Sequence, residues 1–310
     1  MFEKIRVAVW IVLILFVPYY LFKHADIALR LVRNVDAGLY VLVTINLLLS
    51  WISRAARDIA IYRNQGVSIR FWDLVKLNNR QFALNYLPMK VGTVQLAASL
   101  KSNYGLAYSA FAGAFLVQNI LMSVVASIFS IAVILLFADL GDSTSRLLLG
   151  AFVSLTLAMG LITFTTIRIK WLPDTMAARL AAVHRETVEF SRSPQTASWS
   201  LSMSVAMFVL GVWRLDLLGE ILDFDVGLIE LVLFSAVSQL SLLFAITPGA
   251  LGIREFFMGG LARMFGFSPA IGVLLSLSER LVALVLSLLF AILLPVKRRS
   301  ITERTQDEKN

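Results

Sequence analysis

Four charged side chains stand where charge is costly. Arg254 and Glu255 follow directly on a proline–glycine segment, and Glu279 and Arg280 interrupt an otherwise uncharged run from Met264 to Val296. Arginine offers a planar fork of donors that suits phosphate or carboxylate. Free amides at a helix start favour an anion as well. Arg254 and Glu255 therefore read as a contact for a substrate or coupling ion, or else Glu255 simply matches the dipole of its helix start. Neighbouring residues on a helix do not share a face, so Glu279 and Arg280 are not expected to pair with each other. Arg280 is expected to meet Glu255, and Glu279 to meet Arg254, if the later helix packs on the earlier one. Such a network fits a binding site in a wet path or a scaffold that holds two helices together. An Arg280 near the membrane interface would instead snorkel.

The same arrangement occurs earlier in the chain in milder form. Leu87-Pro88-Met89-Lys90-Val91-Gly92-Thr93-Val94-Gln95 parallels Thr247-Pro248-Gly249-Ala250-Leu251-Gly252-Ile253-Arg254-Glu255. Gln95 takes the place of Glu255, and Gln118-Asn119 the place of Glu279-Arg280. The polar pair lies at the same distance beyond Gly105 as beyond Gly266. Buried amides bond across helices, which suits Gln118 and Asn119 to a structural role or to a substrate. Lys90 and Lys101 bracket the first of these helices; they attract a lipid phosphate or mark its ends. Asn78, Asn79, Arg80 and Asn85 precede the first break and suit a cytoplasmic entrance.

These residues need helices in a membrane to hold them. Apolar residues make up 58% of the chain and charged residues 15%. Ser102–Ala138, Leu147–Ile167, Ser193–Trp213 and Leu231–Ile253 carry no charge. A span takes roughly 20 apolar residues, and a soluble chain of this size could not bury so many. The expected fold is all-α and polytopic, a single membrane domain over 1–310. Helices are expected at about 7–24, 37–53, 106–137, 146–167, 197–214 and 268–294. The first follows Lys4 and Arg6 like a signal peptide, but Val17-Pro18-Tyr19-Tyr20 offers no small-residue cleavage site, and it is read as retained.

Two broken segments, about 71–103 and 228–264, remain. Pro88 and Pro248 lack an amide donor and disfavour helix in the residue before them. Gly92, Gly249 and Gly252 permit a tight turn or close contact. Each segment reads as a re-entrant hairpin or as a pair of kinked spans. Basic residues at Arg54–Arg80, at Arg168–Arg192 and after Val296 mark the cytoplasmic side. Asp139 and Asp142, then Asp216, Glu220, Asp223 and Asp225, suit external loops. Both termini are then cytoplasmic, and the two broken segments are approached from opposite faces. This is the pattern of an inverted repeat: 37–137 the first copy, 168–197 a cytoplasmic connector, 197–294 the second copy, 295–310 a tail.

Other chemistries find little support. Cysteine is absent, and His24 and His184 are the only histidines, placed on opposite sides by this topology. No metal site, nucleophile, Walker loop or dinucleotide fingerprint is expected, so the chain reads as no enzyme and as needing no cofactor. The net charge of +8 sits beside spans, where it suits anionic lipid rather than nucleic acid.

The second motif, with Ser278-Glu279-Arg280 and Trp51-Ile52-Ser53-Arg54-Ala55-Ala56-Arg57, resembles the lysylphosphatidylglycerol synthase transmembrane-region family, also called flippase-like, over about residues 5–294. In the synthase that membrane domain is thought to move aminoacylated phosphatidylglycerol between leaflets, while a separate soluble domain makes it. Here only a short charged tail follows the last helix, so the chain is similar to the transport half. The resemblance implies a bacterial or archaeal cytoplasmic membrane. The chain has Gln95 where members often carry a charge, and Ala250 where they often carry a further glycine. The resulting expectation is a lipid translocase for an anionic or phosphate-bearing envelope lipid or lipid-linked precursor. An ion-coupled small-solute transporter, a lipid-modifying membrane enzyme and a non-transporting scaffold for envelope-lipid or glycan synthesis enzymes are the alternatives. Membrane lipid is the expected partner; a homo-oligomer stays open.

Overall fold

The computed structural model describes residues 37–86, 90–164, 192–241 and 252–293, with Val188, Phe190 and Leu243. The expected first helix, most of the connector, the tail, and Pro88, Pro248 and Gly249 lie outside the described residues.

The described residues form helices and connecting turns. In chain order these are α1 (Ala37–Asn64), α2 (Phe71–Leu84), α3 (Val91–Tyr104), α4 (Tyr108–Phe137), α5 (Ser143–Phe164), α6 (Pro194–Ile221), α7 (Leu228–Ser241), α8 (Ile253–Met264) and α9 (Pro269–Leu293). Five of them, α1, α4, α5, α6 and α9, are long and apolar enough to cross a membrane. The other four are shorter, 14 residues for α2, α3 and α7 and 12 for α8. At about 1.5 Å per residue they reach roughly 20 Å, short of a hydrocarbon core of about 30 Å.

Large apolar side chains are bare on the outer faces: Leu136 on α4, Leu157 on α5, Ile292 on α9, and Phe256 on α8, the last 75% exposed. Patches of that extent are ruinous in water and natural in lipid. The chain is an all-α, polytopic membrane protein.

The helices recur in register. The first copy pairs α1 and α2, of 28 and 14 residues; the second pairs α6 and α7, also of 28 and 14. The start of α2 lies as far beyond the start of α1 as α7 lies beyond α6. Glycines in the left-handed region, Gly105 (φ 77°) and Gly266 (φ 79°), close α3 and α8. In each case the amide after the glycine returns to the last turns of the helix, six residues back in the first and five in the second. Leu106 N donates to Leu100 O, and Phe267 N to Ala262 O. Only glycine turns a helix end this way without strain. Both next helices, α4 and α9, begin at the same distance beyond that glycine. The link before α8 is longer than the link before α3.

Packing follows the same register. The equivalent helices α1 and α6 are antiparallel neighbours: Asn46 Nδ2 donates to Leu210 O at 3.0 Å, and Trp199 Nε1 donates to Ala56 O at 3.2 Å. Helix α2 packs on α9 as α7 packs on α4. One apolar core gathers Phe208, Leu218, Phe234 and Met258; another gathers Tyr62, Leu74, Leu100 and Leu106. Two glycines let backbones touch. A Cβ on Gly92 would stand 2.1 Å from Gln81 O, and one on Gly272 would stand 2.1 Å from Met258 O.

Two helices run further than the sequence suggests. Helix α1 continues past Ser53 to Asn64, and α6 past Arg214 to Ile221. In both cases a charge that looks like a loop end is buried and paired, Arg57 on α1 and Arg214 on α6, while Asp216 and Glu220 lie on the exposed face of α6. Arg57 Nε donates to Asp58 Oδ1 at 3.0 Å, and Arg214 reaches across to Glu279.

Candidate functional site

The charged residues of α8 and α9 meet in the interior. Helix α8 starts at Ile253, with Gly252 before it at φ 84°. That start aims Arg254 inward and leaves Phe256 and Phe257 outward. Helix α9 packs along α8 because Gly272 admits the α8 backbone, and this brings Ser276, Glu279 and Arg280 to it. The cross-pairing expected from the sequence is present. Arg280 Nη1 lies 3.1 Å from Glu255 Oε1, and Arg254 Nη2 contacts Glu279 Oε2.

A third arginine completes the cluster. Arg214 of α6 donates to Glu279 Oε1 through Nη2 at 2.6 Å and Nε at 2.9 Å. Its Nη1 donates to Asn46 Oδ1 at 3.0 Å and Ser50 Oγ at 3.2 Å on α1. Arg214 stands at the end of the helix expected at about 197–214, just before Asp216, Glu220, Asp223 and Asp225, whose acidity suits an external loop. Once the helix starts are known, a register signal appears: Arg214 stands as far from Pro194 as Arg57 does from Ala37.

Both carboxylates are saturated. Glu279 accepts from two arginines. Glu255 Oε2 accepts from the Gly252 amide at 2.7 Å, and Oε1 accepts from Ser276 Oγ at 3.1 Å and faces Arg280. Glu255 thus caps its helix and also holds Arg280. Three guanidinium groups against two carboxylates leave one positive charge in excess. Arg254 is buried, and its Nε has no acceptor among the described residues. Such a donor in the interior calls for water or an anion.

In the first copy the expected residues are dispersed. Gln95, with its amide oxygen turned to Arg80, accepts from Nη2 at 2.9 Å and Nε at 3.0 Å. Gln118 is buried in the same place on α4 that Glu279 holds on α9, next to Tyr62. Asn119 turns back on its own helix and donates to Phe115 O at 2.6 Å. Asn85 Oδ1 accepts from Thr93 N at 3.0 Å and so fastens the start of α3 to α2. Lys90, at φ 51°, precedes that start. Lys101 lies 4.3 Å from the centre of the Tyr108 ring, a cation–π contact rather than a free charge. Residues that sequence reading left in the cytoplasm are buried here: Arg57, Asp58, Asn78 and Asn79. Asn78 Nδ2 donates to Asp58 Oδ2 at 2.9 Å.

On the far side of α6 from Arg214 lies an apolar cavity of about 550 Å³, walled by Phe129, Phe208, Val212, Trp213 and Leu231, with Asp216 its one charge. Among the described residues no cluster of acidic or histidine side chains could hold a metal.

No curated protein and no solved structure matches the chain. The family model for the lysylphosphatidylglycerol synthase TM region matches residues 5–291, and the chain belongs to that family, a flippase-like, non-catalytic membrane domain, over nearly all its length.

Proposed function

We propose that this protein is a lipid translocase that moves an anionic or phosphate-bearing envelope lipid, or a lipid-linked precursor, between leaflets. One observation carries the reading: an excess positive charge is buried at the start of α8, on a short helix whose other face is bare and apolar. A headgroup would meet Arg254 and Arg280, held in place by Glu255 and Glu279, while its chains stay in lipid. Gln95, Gln118 and Asn119 line the counterpart path in the first copy. Charge inside a membrane is retained where a polar cargo needs it. The apolar cavity beside α6 has the size and lining of a lipid-chain pocket.

The architecture behind this reading is an inverted repeat, 37–137 and 197–294, joined by a cytoplasmic connector at 168–197, with both termini and the tail 295–310 cytoplasmic. Its support is the shared helix register and the antiparallel packing of α1 on α6. The α2–α3 and α7–α8 pairs are re-entrant hairpins broken at Pro88, with Gly92 just inside the start of α3, and at Pro248, Gly249 and Gly252. Support comes from their length, too short to cross. The membrane is the cytoplasmic membrane of a bacterium or archaeon, and envelope-lipid or glycan synthesis enzymes are the natural neighbours.

The test is leaflet exchange. Proteoliposomes carrying fluorescent phosphatidylglycerol are treated with an impermeant reductant. The protein is expected to make inner-leaflet label reducible, and Arg254→Gln to slow this. Folded protein that leaves the inner-leaflet label protected, across phosphatidylglycerol, phosphatidic acid and polyprenyl phosphate, contradicts the reading. Uptake of a water-soluble organic phosphate without lipid exchange would favour a small-solute transporter using the same charges.

A further inference from the structure

The first copy contains a buried charge imbalance of its own. Arg57 and Arg214 occupy equivalent places on α1 and α6, and Gln118 and Glu279 equivalent places on α4 and α9. In the second copy the Glu279 carboxylate holds Arg214 from across the interior. In the first copy the position in the same register carries a neutral amide, which lies against Tyr62, one turn beyond Arg57 on α1. Arg57 must turn instead to its neighbour Asp58, with Nε and Nη2 each 3.0 Å from Oδ1.

Asp58 is already shared. Its Oδ2 accepts from Asn78 and lies 3.8 Å from Arg54 Nε. Arg54 sends Nη2 to Gln81 Oε1 at 2.8 Å. Among the described residues, two arginines therefore depend on one carboxylate. The Arg57 side chain is only 4% exposed. Its Nη1, like Arg54 Nε, has no hydrogen-bond acceptor among the described residues. The Arg54 side chain, 25% exposed, gives a way in.

We propose that Arg57 and Arg54 form a second anion site, which takes an oxyanion of the phosphate class, and that Gln118 keeps it open by carrying no charge. The free edge of a guanidinium favours an oxyanion, because two parallel N–H bonds fit two of its oxygens. The excess charge makes such a ligand welcome in a low-dielectric interior. A carboxylate at position 118 would do there what Glu279 does for Arg214, and would displace the ligand. The site stands on charge balance and needs no transport. With the inverted topology proposed above, it lies towards one membrane face and the Arg214–Glu279–Arg254 cluster towards the other, giving one headgroup station for each leaflet.

The experiment measures the thermal unfolding midpoint of the full chain in neutral detergent. It is titrated with inorganic phosphate and, separately, with short-chain phosphatidylglycerol, against sodium chloride at matched ionic strength. Either probe is expected to raise the midpoint of the wild type. A response to phosphate alone identifies a free oxyanion; a response to the lipid alone identifies a headgroup. Gln118→Glu is expected to weaken the affinity about tenfold, which corresponds to about 1.4 kcal/mol, without lowering the ligand-free midpoint. Asp58→Asn, which removes the competing carboxylate, is expected to tighten it while lowering the ligand-free midpoint, because it leaves two guanidinium groups without a counter-charge. Arg54→Gln, at the partly exposed edge of the site, is expected to weaken it, and decides the matter if neither of the other variants folds, an affinity equal to wild type overturning the proposal. No shift with either probe overturns the proposal. So does a Gln118→Glu affinity equal to wild type, or an Asp58→Asn affinity no tighter than wild type. A failure of lipid exchange with these shifts intact would remove the transport reading and leave this site standing.

Discussion

Glu279 is the hub of the second copy, since one carboxylate serves Arg214 and Arg254 at once. Removing it leaves two guanidinium groups buried without a counter-charge. Glu279→Gln is therefore expected to cost about 3–5 kcal/mol of stability, read as a lowered unfolding midpoint in detergent. Sharing also sets which charge exchanges are tolerated. Exchanging Arg254 with Glu279 would set a guanidinium at 279 against Arg214, so this double variant should not regain stability. Exchanging Glu255 with Arg280 sacrifices the bonds from the Gly252 amide and the Ser276 hydroxyl but sets no two guanidinium groups together, and should lie closer to wild type; the reverse ranking of midpoints would contradict the network. The α8–α9 pairs were legible in the sequence, because a charge inside an uncharged run must find a counter-charge or water. Arg214 was not. Its acidic neighbours imitate a loop, and a helix that hides an arginine among them is recognisable only once its partner is in place. Arg57 and Asp58 were hidden for the same reason, by the basic company of Arg54 and Arg63.

Among the elements, the short helices depend on backbone contact. Gly92 sits against the end of α2, and Gly272 against α8. An added methyl at either must push two backbones apart. Gly92→Ala and Gly272→Ala are expected to cost about 1–3 kcal/mol each. Gly260, on the open side of α8, has nothing within 4 Å of its would-be Cβ. Gly260→Ala should be neutral or stabilising by up to about 1 kcal/mol. Equal losses at all three positions, measured by thermal unfolding, would show that helix contact is not the cause. Most helix positions were readable from uncharged runs and from the glycines that end α3 and α8. The true lengths of α1 and α6 were not, since their later turns carry charges, Arg57 and Asp58 on α1 and Arg214 on α6, whose burial shows only when Asn78 and Glu279 pack on them from other helices. Of the two roles open to Gly92, turn or close contact, the structure shows the contact.

At the scale of the molecule, the two copies share a helix register and differ in charge. The second holds its arginines with carboxylates reached from another helix; the first leaves an amide in that place. Equivalent helices α1 and α6 lie antiparallel, the relation expected of halves that face opposite sides of a bilayer. The proline–glycine spacing pointed to the proposed repeat, but the matching places of Arg57 and Arg214 lie in helices whose residues otherwise share little, and only the helix register reveals them. The central claim is that the two chain breaks open towards opposite leaflets around one polar interior. The chain has no cysteine of its own, so single cysteines report cleanly. Lys90→Cys and Ala250→Cys, which stand in the same place after Pro88 and Pro248, can be labelled with an impermeant maleimide in sealed vesicles of known orientation. The account predicts that one reacts from outside only, and the other only after the membrane is opened. Labelling of both from the same side would contradict it.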